Sequence, residues 1–500
     1  MKISIIPAVS AVLFAASAVA ATEVSTVDGL CAALSSSSAG AEIVLAPGTY
    51  PIGRQLSVSA QNLTLRSRGG RAQTIIEGDS TFGLLLVTNA NFTAKGITFK
   101  NGHSTDGGAV KLGGDALATA KILDCDFVEC TARYGGALFA NDTSHSAYDA
   151  RSAYGLVSGC TFTRCATEWT EWNTGGAIYG SLWVEDSVFD ACDVSANASR
   201  GLTSIAATSH MTVTNCIFKG QTLRSDVRGV VGTAFDLSNH DCQDGAVRLL
   251  GCTIAGNELA SSKTGLFYGS VVLDRCVVSN TTSSVNTSST GSELPWLYKS
   301  PKRESSRISS TLFIDNHCPF RLDSVPAILN CTFVRNVGGL AYFESDTSSP
   351  EITNCVFWAN IEKTSWPWNK KYKGVPGFYW YEGKSLGDSI RLANTVIEGG
   401  SANTDVTAIL ASDPSGESAR LTALAAEKGP GFKDAAAGDW TLKRSSVMID
   451  AGVKADWMDS SCDLTGNKRC LKKGLVSDGA LPDIGCYEFF AVAGFKISLR

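Results

Sequence analysis

A chain of 500 residues with a formal net charge of −5 and 18% charged residues lacks the basic excess by which proteins grip nucleic acid, so that partner class is set aside. Its 49 glycines, 44% hydrophobic residues and abundant serine and threonine describe a β-rich, turn-dense chain able to bury a long core. Such a length ordinarily splits into several domains, yet the composition barely changes between residues 40 and 440, so one repetitive body is expected.

The first twenty residues carry an export signal. Met1 and Lys2 give a short positive start, residues 3–16 an apolar run, and Ala18, Val19 and Ala20 a small-residue cleavage site. The run is too short to span a membrane, and nothing later in the chain approaches a span. Residues 1–20 are therefore read as a signal peptide, and the mature chain as secreted or displayed at the cell surface, where disulfides are permitted. Residues 28–35, with Leu30, Ala32, Ala33 and Leu34, predict a short helix that caps the N-terminal rung of a repetitive body.

From about residue 97 a short pattern recurs: 125–130 (CDFVEC), 160–165 (CTFTRC), 187–192 (SVFDAC), 252–257 (CTIAGN), 311–316 (TLFIDN), 331–336 (CTFVRN) and 355–360 (CVFWAN). The variable spacing between copies excludes a coiled coil and suits a solenoid with fixed strands and variable loops. Within each copy the first residue and the Phe position are two apart and so point to one face of a strand. Stacked at about 4.8 Å, these residues become internal ladders of Phe and Cys, and the terminal Asn pairs with backbone groups of the turns. A second element, 107–110 (GGAV), 135–138 (GGAL) and 175–178 (GGAI), provides a sharp bend where backbones approach closely. The cysteines of the first position read as small buried hydrophobes; Cys462, Cys470 and Cys486, outside the repeat, are the ones expected to bridge.

Three excursions leave from the same repeat position, after Cys165, Asn280 and Asn360. The first holds Trp169 and Trp172, interleaved with Glu168 and Glu171. The second, near 281–309, holds Trp296, Lys299 and Arg303; the third, near 361–391, holds Trp366, Trp368, Lys370, Lys371, Tyr379 and Trp380. Aromatic faces stack on sugar rings and interleaved cations attract acidic groups, so these residues are the candidates for a glycan-binding edge. The alternative, aromatics folded back over the helix flank with lysines that merely solubilise the loop, stays open.

These motifs carry two resemblances. The GGA-plus-aliphatic and Phe-x-x-Asn pair resembles the repeat of chlamydial polymorphic outer-membrane proteins and of right-handed parallel β-helix proteins more broadly. Residues 43–50 (IVLAPGTY) are similar to the opening segment of pectate-lyase-like β-helices. Residues 429–432 (GPGF), 439–442 (DWTL), 449–452 (IDAG), 463–469 (DLTGNKR) and 483–488 (DIGCYE) resemble, in order, the closing pattern of bacterial β-helix proteins called choice-of-anchor Q proteins. The resemblance implies an all-β right-handed parallel β-helix over residues 21–400 and a closing segment over 401–500. In that closing segment Asp450, Asp463, Asn467, Arg469, Asp483 and Glu488 would form a polar cap. No autotransporter barrel is expected after Glu488.

No cofactor is expected. Calcium is the lesser alternative for the oxygen-rich closing segment, which shows no calcium-loop spacing. The favoured function is non-catalytic contact with acidic polysaccharide or cell-surface glycan. A secreted polysaccharide lyase or glycoside hydrolase is the alternative, with Lys299, Arg303, Lys370 and Lys373 conceivable in a lyase but in no recognisable motif.

Overall fold

The computed structural model describes residues 21–490 apart from 89–90, 114–119, 141–154, 169–174, 195–201, 209, 224–228, 234–246, 261–264, 269–270, 284–295, 300–306, 318, 324–326, 338, 343–349, 362–371, 376, 382–389, 400–403, 473–474 and 477–479. The signal-peptide expectation thus lies outside the described residues. Three long sheets, here A, B and C, run the length of the molecule with 14, 13 and 13 strands, and short sheets flank the junction of B with C. One coil shows the path: Lys121–Leu123 in sheet A, Asp126–Val128 in sheet B, Thr131–Tyr134 in a four-stranded sheet D, then Leu138–Ala140 in sheet C. Pairing from coil to coil is parallel and like-on-like, with Phe127 between Phe99 and Phe162. The chain is a right-handed parallel β-helix. Among the described residues no helix is long and apolar enough to cross a membrane.

The repeat spacing is fixed by its corners. From Thr98–Lys100 onward each sheet-B strand is bracketed by two residues of positive φ five positions apart, among them Asp124 and Glu129, Gly159 and Arg164, Asp186 and Ala191, Asn330 and Arg335, Asn354 and Ala359. A left-handed residue shifts the alternation by one, so the inward residues before and after a corner are three apart, as Ile122 and Cys125 or Phe127 and Cys130, instead of two. Between the corners one aromatic enters the core. Phe99, Phe127, Phe162, Phe189 and Phe218 stack with centroids 5.4, 4.7, 4.8 and 4.7 Å apart. Ile254 and Val278 continue the column, and Phe313, Phe333 and Phe357 resume it at 4.5 Å.

Residues just past the corners form two further ladders. Cys125, Cys160, Cys216, Cys252, Cys276, Cys331 and Cys355 are buried, and Ser187, Thr311 and Thr395 take the same place in other coils. The hydroxyl of Ser187 shows why: it donates to Glu185 O at 2.7 Å and accepts from Cys160 N at 3.1 Å. A small side chain with one weak donor fits. At the second corner Cys130, Cys165 and Cys192 give way to Gln221, Asn257 and Thr281, and then to Asn316, Asn336 and Asn360. In these last three the side-chain amide donates to the previous coil (Asn336 to Phe313 O, 3.0 Å) while its oxygen accepts that coil's N–H (Asn316 N, 3.1 Å). The bends into sheet C need their paired glycines, since a Cβ on Gly136 would lie 2.1 Å from Gly176 O.

Helix α1 (Val27–Ser36) starts at the Thr26 cap rather than at Asp28 and lays Leu30, Ala33 and Leu34 on the first coil, while Ala32 faces solvent. At the far end α2 (Thr404–Leu410) contributes Val406, Ile409 and Leu410 to the main core. The next helix, α3 (Glu417–Lys428), covers the last strand edge: Ser418 Oγ accepts Thr395 N at 2.9 Å and Thr422 Oγ1 accepts Ile397 N at 3.1 Å. Open strand edges are therefore masked by side-chain acceptors.

Three expectations are corrected. The segments near 281–309 and 361–391 are not excursions throughout, because Trp296–Lys299 and Gly377–Tyr381 are strands of sheet C paired in parallel with their neighbours, the former across a register shift on one side. The remainder of the closing segment does not cap the end; it turns back along the outer face of sheet B. There Leu312, Val334, Val356 and Val396 point outward and share a second core with Leu421, Trp440, Met448 and Ile484. Cys462, Cys470 and Cys486 are unbridged, as are the other described cysteines. Cys470 sits in a cluster with Met458 and Ala480, and Cys486 against sheet B, so burial keeps them apart.

The ladder predicts unequal costs. Phe162→Ala should lower unfolding free energy by about 3–5 kcal/mol, whereas Cys160→Ser should cost less than about 1 kcal/mol, because serine already serves that corner at Ser187. Urea unfolding of both variants measures the contrast.

Candidate functional site

Of the candidates drawn from the excursions, Trp169, Trp172, Arg303, Trp366, Trp368, Lys370 and Lys371 lie outside the described residues. Trp296 and Lys299, and Tyr379 and Trp380, stand on two strands of sheet C three strand steps apart, about 14 Å along the axis by strand spacing. Tyr379 pairs with Ala341 and Trp380 with Tyr342; Lys299 pairs with Tyr268 and Asp323.

The described residues converge elsewhere, where sheets D and C meet. The paired glycines fold the chain so sharply that side chains on the outer faces of the two sheets touch across the bend, and the outer angle becomes a groove along the axis. Lys111, Phe139 and Tyr179 are stacked by register on sheet C. The rings of Phe139 and Tyr179 lie 5.4 Å apart, and Tyr134 from sheet D approaches Tyr179 at 5.1 Å. Lys111 Nζ stands 5.5 Å from the Phe139 ring and 2.7 Å from Asp106 Oδ2. Arg133 lies 5.1 Å from the Tyr134 ring; its Nε is shut from water without a hydrogen-bond partner, and it makes no ion pair among the described residues. Further out on sheet D, His103 Nδ1 is 2.9 Å from Thr131 Oγ1 and 3.6 Å from Glu168 Oε2. Glu168 is the last described residue before 169–174.

Sequence reasoning missed the groove although the signal was present. The residue after each GGA-plus-aliphatic unit is Lys111, Phe139 or Tyr179, the outward position of the strand.

The closing-segment residues form a second polar assembly, which holds structure. Arg469 is fully buried, 3.0 Å from Glu488 Oε1, and donates to Ser310 Oγ at 2.9 Å. Asp483 accepts Asp450 N at 2.7 Å and Phe489 N at 2.6 Å; Asp463 accepts Glu488 N at 2.9 Å and Asn467 N at 2.7 Å. The sheet A to sheet B corners supply the other half. Asn330 donates to Asp483 O (3.1 Å), Asn354 to Val453 O (2.8 Å) and Asn394 to Ala451 O (2.6 Å). This is a strap along the flank. One guanidinium faces three buried carboxylates, those of Asp463, Asp483 and Glu488. Burial pushes Asp483 up to about 7 against the hydrogen bonds of Phe489 and Asp450. Burial, with the nearby Asp483 carboxylate, pushes Glu488 up to about 8 although Arg469 pulls it down.

A family model described as the right handed beta helix region matches residues 82–294. No relative is found among curated proteins. Solved structures similar to the chain include a pectate lyase, 13% identical with 94% of this chain and 97% of that one covered and a TM-score of 0.36. A family 6 polysaccharide lyase from Pseudopedobacter saltans is 10% identical over 77% of this chain and 94% of that one, TM-score 0.33. A pectin methylesterase from Aspergillus niger is 15% identical over 74% and 96%, TM-score 0.28. Their overlap is too loose to carry any residue or reaction across.

Two outcomes test the strap. Between pH about 4 and about 8 the folded chain keeps protons on Asp483 and Glu488 that the unfolded chain has released. Their contribution to stability is therefore greatest below that window and falls as pH rises through it, and Glu488→Gln should shrink the fall in urea midpoints measured at pH 5, 7 and 9. Arg469→Ala, which leaves Glu488 and Ser310 without their buried partner, should cost about 3–5 kcal/mol in the same assay at pH 9, where the carboxylates are ionised.

Proposed function

We propose that this chain is an exported or cell-surface β-helix protein that holds acidic glycan, without cleaving it, in the groove where sheets C and D meet. Arg133 carries the reading. Its guanidinium lies over the Tyr134 ring with no carboxylate partner among the described residues, and a planar fork of donors beside apolar ring surface suits the carboxylate and ring of a uronate. Lys111, Phe139, Tyr134 and Tyr179 extend the same surface along the axis. The strands bearing Trp296, Lys299, Tyr379 and Trp380 continue sheet C toward the C-terminal coils. Export through residues 1–20 and the choice-of-anchor Q resemblance of the closing segment belong to this proposal.

A second reading, a polysaccharide lyase, draws on two proton-carrying side chains near Arg133, His103 on the neighbouring strand of sheet D and Tyr134 beside it on its own strand. Unsaturated products absorb in the ultraviolet, so incubation with polyuronates separates the readings: product formation favours the lyase, retention without product favours the binder. In affinity electrophoresis through polygalacturonate, Arg133→Ala should weaken retention about tenfold or more, the scale of a charged hydrogen-bonding group. Unchanged retention would remove the groove from the proposal.

A further inference from the structure

The groove has a closed end. Its floor follows one register column of sheet C, through Ser57, Leu86, Lys111, Phe139, Tyr179 and Ala206. Ser57 is exposed, the next four are half-buried, and Ala206 is shut from solvent, 0% exposed. The column therefore opens toward the N-terminal coils and closes one coil beyond Tyr179.

Two further features stop at the same place. The bend that creases the chain depends on the paired glycines 107–108, 135–136 and 175–176, where an added Cβ would meet backbone; on Gly176 it would lie 2.0 Å from Thr203 O. In the next coil Thr203 and Ser204 follow Gly176 and Ala177 in register, Ala177 N donating to Ser204 O at 3.1 Å, and the glycine pair is gone. Sheet D ends in that coil as well, with the strand Asp193–Val194. Asp193 pairs with Ala166 on the outer face of sheet D, so the wall at the closed end carries a carboxylate.

We propose that the groove receives the end of an acidic glycan chain and not a stretch from its middle. The inference rests on the glycan-binding reading of the groove. A polymer lying along a groove at mid-chain must run on at both ends, and the covered Ala206 bars its way past Tyr179. From Lys111 to Tyr179 is two coil steps, about 10 Å by strand spacing, room for roughly two or three sugar rings. The terminal ring lies over Tyr179 with its end hydroxyls toward Asp193, because a carboxylate accepts from hydroxyls and repels a second carboxylate. Arg133, in the coil before Tyr179, takes the carboxylate of the ring behind.

The test is calorimetric titration of the full chain with trigalacturonate and with an oligogalacturonate of about thirty sugars, both counted per chain. A mid-chain site would find roughly thirty overlapping positions on the longer ligand and bind it about tenfold or more tightly than the trimer. A groove that takes one end finds one position on either ligand, so the two affinities should agree within about threefold, and a larger gain with length overturns the proposal. Reduction of the reducing terminus of the longer ligand, or unsaturation of its non-reducing terminus, identifies the end that enters. Changing that end should weaken binding about tenfold, and no loss from either change also overturns the proposal. Failure of the groove itself looks different: Arg133→Ala would then bind both ligands as tightly as wild type, and Arg133→Gln repeats that comparison should the alanine variant fail to fold.

Discussion

Like-on-like stacking across coils is the constraint on which the rest of the molecule depends. It is imposed less by hydrophobicity than by the left-handed corners at either end of the sheet-B strands from Thr98–Lys100 onward, which hold each strand to one length and one phase. A single slipped residue would turn every Phe of the column to solvent. Because the corners keep phase, a residue's column decides its surroundings: aromatic within the strand, thiol or hydroxyl past the first corner, thiol and then amide past the second. The amide ladder closes its own hydrogen bonds from coil to coil, which explains why polar side chains as large as Asn316, Asn336 and Asn360 are tolerated where cysteine sits earlier.

The inward columns were legible in the sequence because a strand repeats every two residues and the motif repeats around it. The corners were not. Glycine, asparagine and aspartate, which enter this conformation most readily, hold many of them, but Glu129, Arg164, Ala191 and Ser310 hold others, so the corners do not stand out from ordinary turn composition. Strands with weak motifs were also hidden: Trp296–Lys299 and Gly377–Tyr381 read as loop because their aromatic and basic content resembles a decorated excursion, whereas pairing in sheet C is set by backbone. The groove was half legible, since the GGA bends were recognised and the outward residue that comes after them was not weighed.

The path of the closing segment had a subtler signature. In early coils each sheet-B strand keeps a polar residue at one of its outward positions, as Asp126 beside Val128, Asp190 beside Val188 and Lys219 beside Ile217; in the last coils Leu312 and Ile314, then Val356 and Trp358, leave none. An outer face that turns apolar needs a cover, and the chain supplies it by running back over its own flank. The conversion of the corner residues to Asn330, Asn354 and Asn394 over the same coils gives that cover fixed points of attachment.

That attachment links parts of the chain far apart in sequence. Arg469 and Ser310 are 159 residues apart, Cys486 and Thr332 154, and Asp483 and Asn330 153. Contacts with so long a loop to close are the last to form, after the coils beneath them exist. Interactions made only beyond the folding barrier leave the rate of folding untouched and slow its reversal. The strap therefore governs lifetime: a chain that emerges N-terminus first can coil progressively, and the segment that runs back over its flank then lengthens the time the finished molecule stays folded.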